Sequence, residues 1–253
     1  MATTNRNPQP QIPGDAPRVP EACRIYAIGD IHGRADLLRR LHGKITDDIA
    51  EGAPERLVLV YLGDYVDRGA DSFEVIDLLL NEPLPGFEII FLKGNHEDFL
   101  LRFVDGEDIG DSWLMNGATA TVASYGIDIL GIAGKFLDME AVRDDFQAAL
   151  PAGHLRFLRN LSLSHRVGDY LFVHAGIRPD LPVDAQDPFD LMWIREEFLD
   201  SDADFGCVVV HGHSQTHAPE SFKNRIGIDT GAYRSGILTC LVLEGSEQRF
   251  LHT

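Results

Sequence analysis

Six side chains with nitrogen or oxygen atoms suited to divalent cations recur in short glycine-containing segments. They are Asp30 and His32 in GDIHGR, Asp64 in GDYVDRG, Asn95 in GNHE, His174 in VHAG and His213 in HGHS. Hydrolysis of a phosphate ester at neutral pH needs a deprotonated water and charge neutralisation at the phosphoryl oxygens, and two cations about 3.5–4 Å apart supply both. Cations held that close call for a shared carboxylate. Asp64, in the middle of the set, is the candidate bridge.

The elements that must position these residues show in the patterning. Asp30, Asp64 and Asn95 each follow a short apolar run of strand length, RIYAI, LVLVYL and FEIIFL, by two or three residues. Helical rhythm comes after each: ADLLRRLHGKITDDI puts Leu37, Leu38, Leu41 and Ile45 on one face, and SFEVIDLLL and DFLLRF follow the later motifs. The pattern predicts a βαβαβ start. YLFV leads into His174, and CVVV into His211 and His213. Every candidate ligand therefore lies past the carboxyl end of a strand, where open α/β sheets gather ligands. From about Phe103 to His165 the strand rhythm stops, and residues 103–165 read as a largely helical cap within one domain spanning 22–253. RIGID, GILTCLVLEG and QRFLHT predict a terminal antiparallel sheet. Residues 1–21 are proline-rich and lack an apolar period, so a disordered or loosely attached tail is expected there.

The three N-terminal motifs resemble those of the calcineurin-like metallophosphoesterases. GDYVDRG followed by GNHE is similar to the phosphoprotein phosphatase family, bacterial serine/threonine type, and the resemblance runs from about Arg24 to about Leu243. It implies an α/β fold: a central β-sandwich of mixed sheets flanked by helices, with a dinuclear metal site at the strand C-terminal ends. It also implies two divalent metal ions, one held by Asp30, His32 and Asp64, the other by Asp64, Asn95, His174 and His213. Mn²⁺ is the metal expected from the family, while mixed imidazole and carboxylate donors also suit Fe or Zn²⁺. Gly212-His213 fits the family's small-residue-then-histidine pattern, which leaves His211 for packing. Arg68 and Arg195 are expected to neutralise phosphoryl oxygens from two sides, with Arg34 a further substrate-binding candidate. His96, beside Asn95, is the expected general acid, held by Asp67. In one departure, Lys93 stands before GNHE where the family commonly has Arg, and Lys cannot make a bidentate phosphate contact.

The activity so implied is that of a metal-dependent phosphomonoesterase. The leading expectation is a serine/threonine protein phosphatase in which a metal-bridging hydroxide attacks phosphorus in line. A symmetrical diadenosine tetraphosphate hydrolase shares the motifs; it would need aromatics in the cap to stack on adenosine, and Trp113 and Tyr125 are the candidates. A catalytically silent metal-binding scaffold would need a missing ligand or acid, and none is missing. No Cys-x5-Arg loop is present to support a cysteine phosphatase.

Composition narrows the partners. A net charge of −18 and a pI near 4.8 argue against nucleic acid, whose phosphates favour clustered Lys and Arg. The expected partner is a phosphorylated protein or peptide, or a small phosphoester. The apolar runs are too short to span a bilayer, so no membrane partner and a cytoplasmic location are expected. Cys23, Cys207 and Cys240 form no CxxC pair and read as buried reduced thiols. Glu196, Glu197, Asp200, Asp202 and Asp204 read as a solvated face, and His42, His154, His165, His217 and His252 as packing or solvent residues.

Overall fold

Strand β1 (Cys23–Ile28) is apolar on both faces because both are covered. Tyr26 and Ile28 point into a core shared with helices, while Ile25 and Ala27 point into a second core between two sheets. Strand β2 (Arg56–Tyr61) repeats this, with Leu59 and Tyr61 on the helix side and Val58 and Val60 on the other. Continuous apolar runs are the signature of strands buried in this way. The computed structural model describes residues 16–129 and 138–253.

The first sheet has the order β10-β9-β1-β2-β3, completed by β3 (Phe87–Phe91), β9 (Thr239–Glu244) and β10 (Glu247–His252). Strands β1, β2 and β3 run parallel, joined by α1 (Ala35–Ala50) and α2 (Ser72–Asn81), as the βαβαβ expectation required. Leu37, Leu38, Leu41 and Ile45 of α1 are buried against this sheet. The second sheet is β4-β5-β6-β8-β7, built from β4 (Ser164–Val167), β5 (Tyr170–Val173), β6 (Val208–His211), β7 (Glu220–Ser221) and β8 (Arg225–Gly227). Helices α8 (Pro188–Trp193) and α9 (Glu196–Leu199) cover its outer face through Leu191 and Phe198. The result is a mixed α/β sandwich flanked by helices.

Two sequence expectations are corrected. The C-terminal strands do not form one antiparallel sheet. Strands β9 and β10 make a hairpin on the free edge of β1, whereas RIG is β8, parallel to β6 in the second sheet. Helices α4 (Gly110–Met115), α5 (Ala118–Ser124), α6 (Met139–Ala149) and α7 (Ala152–Arg159) occupy the expected cap region. Trp113, Val122, Phe146 and Leu158 share one core with α1, α2 and the first sheet. Of the expected tail, residues 1–15 lie outside the described residues. Residues 16–21 are mostly exposed but anchored: Val19 is buried and donates its N–H to the Gly245 carbonyl at 2.9 Å. All three cysteines are buried and free.

Candidate metal centre

The GDYVDRG loop leaves β2 and is pinned from below by Glu97. This residue belongs to α3 (Asn95–Val104), whose first residue is the candidate ligand Asn95. The buried Glu97 carboxylate accepts the backbone N–H groups of Asp64 (2.9 Å), Tyr65 (2.8 Å), Val66 (3.3 Å) and Gly94 (2.9 Å). Burial and the nearby Asp64 charge push this carboxyl up to about 7 against the pull of those donors. Gly94 is required by contact: a Cβ there would lie 2.1 Å from Asp64 Oδ1. At Gly212 a Cβ would lie 2.1 Å from Asp30 Oδ1, which is why a residue without a side chain precedes His213.

The backbone is unusual at the same positions. Among the described residues, the non-glycine positive φ values are at Ala22 and at His32 (46°), Asp64 (51°), Asp67 (72°), Arg68 (68°) and His213 (61°). Each left-handed L-residue costs on the order of 1 kcal/mol or more, so such a cluster marks a site held in place by its surroundings.

Two groups of donor atoms, each within 4.8 Å of one another, form around the buried Asp64: His32, Asp64 and His96, and Asp64, His174 and His213. The two Asp64 oxygens face different groups. Oδ2 lies 3.4 Å from His32 Nε2 and 3.7 Å from His96 Nε2, and Oδ1 lies 3.4 Å from His174 Nε2. Burial opposes the charged form of Asp64, but four surrounding imidazoles, His174 foremost, outweigh it and hold the carboxyl well below its ordinary range.

The imidazoles present lone pairs to this space. His32 Nδ1 is 2.8 Å from the Val66 carbonyl and His174 Nδ1 is 2.9 Å from that of Leu62, so both carry Nδ1–H and leave Nε2 as an acceptor. His174 Nε2 then faces Asn95 Oδ1 at 3.0 Å, two acceptors with no proton between them. His213 Nε2 is buried without a hydrogen-bond partner. Burial pushes His32, His174 and His213 down, toward the neutral form that ligates metal. Opposed lone pairs, an orphaned imidazole nitrogen and a central carboxylate fit divalent cations.

Asp30 stands one step back from these groups. Its carboxylate accepts the His213 N–H at 3.1–3.2 Å and hydrogen-bonds the side chain of Asp229. Asp229 is 1% exposed, has one unpartnered oxygen, and is pushed up to about 6 by burial. The sequence reading passed over Asp229 and Glu97. The RIGID segment reads as strand, and the Glu of GNHE carries no sign that its partners lie some thirty residues upstream. His211 points away: its Nδ1 contacts the Gly212 carbonyl and its ring packs edge-on against Phe198.

His96 Nδ1 is 2.6 Å from Asp67 Oδ2, as expected. Asp67 also accepts Trp113 Nε1–H at 2.9 Å and the Thr121 hydroxyl at 2.6 Å. Burial works against the charged form of His96, yet the Asp64 and Asp67 carboxylates outweigh it and raise the imidazole overall. The Arg68 guanidinium nitrogens lie 2.7 Å from His32 Nε2 and 3.0 Å from His96 Nε2, and its guanidinium carbon lies 5.1 Å from the centre of the Tyr233 ring. Arg195 reaches the His213 carbonyl and Ser214 Oγ, both at 3.4 Å. Both arginines line a cavity of about 540 Å³ with Met115, Asn116, Gln215 and Tyr233, and among the described residues neither forms a salt bridge.

Some expectations need correction. Arg34 is not among the residues lining that cavity. It makes a two-pronged bond to Asp36 (2.8 and 2.7 Å) and donates to the Ala232 carbonyl, because its own helix start supplies the nearest carboxylate. Lys93 is likewise engaged by Asp98 at 2.6 Å. Trp113 and Tyr125 cannot stack on a ligand. Trp113 is fully buried between Phe103 and Phe146, and Tyr125 is bonded to His154 Nδ1.

The chain is 26% identical over 234 residues to the bis(5'-nucleosyl)-tetraphosphatase PrpE [asymmetrical] of Bacillus thuringiensis (strain Al Hakam), covering 85% of this chain and 88% of that one. The protein of the same description from Anoxybacillus flavithermus is 24% identical over 233 residues, with the same coverage. A crystal structure of a candidate diadenosine tetraphosphatase superposes with TM-score 0.62 at 21% identity, covering 90% of this chain and 93% of that one. The cold-active protein-tyrosine phosphatase of a psychrophilic Shewanella sp. gives 0.53 at 17% identity, over 92% and 83% of the two chains. The model of the calcineurin-like phosphoesterase family matches residues 23–235. With nearly its whole length in that match, the chain belongs to the calcineurin-like phosphoesterases, hydrolases of phosphoric esters that work with divalent metal ions.

Proposed function

We propose that this phosphoesterase hydrolyses dinucleoside polyphosphates. The single observation that carries the phosphoesterase chemistry is the Asp64 carboxylate, with one oxygen facing His32 and His96 and the other facing His174. The nucleotide assignment is supported by the tetraphosphatase relatives, which align along 85% of the chain.

His32, Asp64, Asn95, His174 and His213 would hold the two cations, and Asp30, one step back, would complete the first set while accepting the His213 N–H. When bound, the cations, Mn²⁺ by family preference, supply an ionised water and neutralise phosphoryl oxygen charge. The chain supplies the rest. Arg68 and Arg195, which both line the cavity, each offer a planar fork to equatorial phosphoryl oxygens, where charge grows in the transition state. His96 holds a proton for the leaving oxygen, and Asp67 fixes the ring by taking Nδ1–H. Thr121 and Trp113 complete the set of donors around Asp67, so the ring orientation is set by packing from three elements.

A serine/threonine protein phosphatase is the second reading. It is favoured by the wording of GDYVDRG and GNHE and by the open cavity, which needs only a phosphoryl group and a short peptide. The test compares diadenosine tetraphosphate, a phosphoserine peptide and p-nitrophenyl phosphate with Mn²⁺ present. The nucleotide should exceed the peptide in kcat/KM by a hundredfold or more, about 2.8 kcal/mol of differential transition-state binding. Chromatography of its products separates symmetrical from asymmetrical cleavage: two identical diphosphates, or a mono- and a triphosphate. A peptide preference of that size would make the second reading correct.

A further inference from the structure

Large apolar side chains at the described surface are few, and two of them are phenylalanines with different surroundings. Phe222 is capped by the Arg225 guanidinium at 3.9 Å from its ring centre. Phe189 is 62% exposed and lies flat on Trp193, with ring centres 5.9 Å apart and planes 15° from parallel. The two rings are four residues apart on α8, the spacing that stacks side chains on one helix face. Asp187 caps the start of that helix by accepting the Phe189 N–H at 2.8 Å, and Trp193 is braced from behind by Phe99, edge-on at 5.1 Å. The pair is therefore a rigid shelf with one aromatic face toward solvent.

The shelf leads into the metal centre. The Trp193 ring lies 6.2 Å, centre to centre, from the ring of His213, and Arg195, two residues further on, lines the cavity. A ligand matching both features has a flat π-face at one end and phosphates at the other. Base-on-aromatic stacking is strong and tolerant of base identity, whereas the cationic side of the cavity selects the phosphates. We infer that the Phe189–Trp193 shelf seats a nucleobase of the substrate, delivering its phosphate chain to Arg195 and Arg68. This deepens the nucleotide reading of the same site and rests on it.

The test uses the full chain loaded with Mn²⁺. Phe189 is exposed, so Phe189→Ala should fold normally, and Phe189→Trp should preserve the shelf. KM for diadenosine tetraphosphate should rise about tenfold in Phe189→Ala and be restored in Phe189→Trp, while kcat/KM for phosphoserine, which has no ring to stack, stays within twofold. Titration calorimetry with AMP should show the same loss of affinity. Unchanged nucleotide KM and AMP affinity in Phe189→Ala would overturn the shelf while leaving the nucleotide reading intact. Absence of dinucleotide turnover in the unmodified protein, with AMP still bound through Phe189, would sink that reading and keep the shelf. Loss confined to an aromatic phosphopeptide would show that the shelf serves peptides and would overturn the proposal.

Discussion

Asp67 receives donors from His96 on α3, Trp113 on α4 and Thr121 on α5, so one carboxylate joins the reacting end of the site to the helices packed behind it. The proton on His96 matters most where the leaving group is a poor one. His96→Asn should cost about 10² or more in kcat on phosphoserine and markedly less on p-nitrophenyl phosphate, whose phenolate hardly needs protonation. Steady-state rates on the two substrates decide it; equal losses would mean that His96 positions phosphate instead. At this scale the sequence shows which residues bear the chemistry, because GDIHGR, GDYVDRG, GNHE, VHAG and HGHS place them by residue type. It does not show the braces. Glu97 reaches back to four backbone amides, and Asp229 meets Asp30 across some two hundred residues, contacts that only the folded chain creates. Nor do the left-handed conformations of Asp64, Asp67 and Arg68 follow from residue type, since none of these is glycine.

Helix α1 is tied to the first sheet by more than its leucines. His42, buried on its inner face, is hydrogen-bonded through Nε2 to the Tyr61 hydroxyl at 2.8 Å, and burial pushes its pKa down to about 4. The unfolded chain binds this proton below about pH 6.5 while the folded chain refuses it until about pH 4, so the contribution is full above pH 6.5 and is lost as pH falls through that window. Urea unfolding across pH 7 to 4.5 should show a shallower decline in His42→Gln than in the unmodified protein, by up to about 1.4 kcal/mol per pH unit. Identical slopes would remove His42 from the account. Element boundaries were readable where burial on both faces left unbroken apolar runs, as in β2 and β5. The RIG strand was assigned to the wrong partner because three residues carry no information about which sheet edge they join. Polarity on the outer faces of α6 and α7 leaves unread in the sequence how closely their inner faces join the main core.

The candidate ligands come from both halves of the molecule: Asp30, His32, Asp64 and Asn95 from the first sheet, and His174 and His213 from the second. At the opposite end of the sandwich the two sheets are joined by residues 17–19. Val19 N–H bonds to Gly245 in the β9–β10 turn, while Arg18 exchanges bonds with Asp169 in the β4–β5 turn at 2.9 and 3.0 Å and Tyr170 reaches the Pro17 carbonyl at 3.3 Å. A chain lacking residues 1–21 should melt about 5 °C below one lacking only residues 1–15, from losing roughly 2 kcal/mol of Val19 burial and hydrogen bonding. Equal melting temperatures for the two truncated chains would contradict this.

This strap has a consequence at a distance. It acts as a pin at one end of a pair of tongs whose jaws are the metal-binding loops, so whatever steadies the jaws also steadies the pin. Coupling between two sites is reciprocal, and a cation gripped by both sheets should therefore slow hydrogen exchange at the Val19 amide, far from any ligand. Exchange measured by mass spectrometry with and without Mn²⁺ reads this directly, and equal exchange in both states would mean that the two sheets move independently of their shared strap.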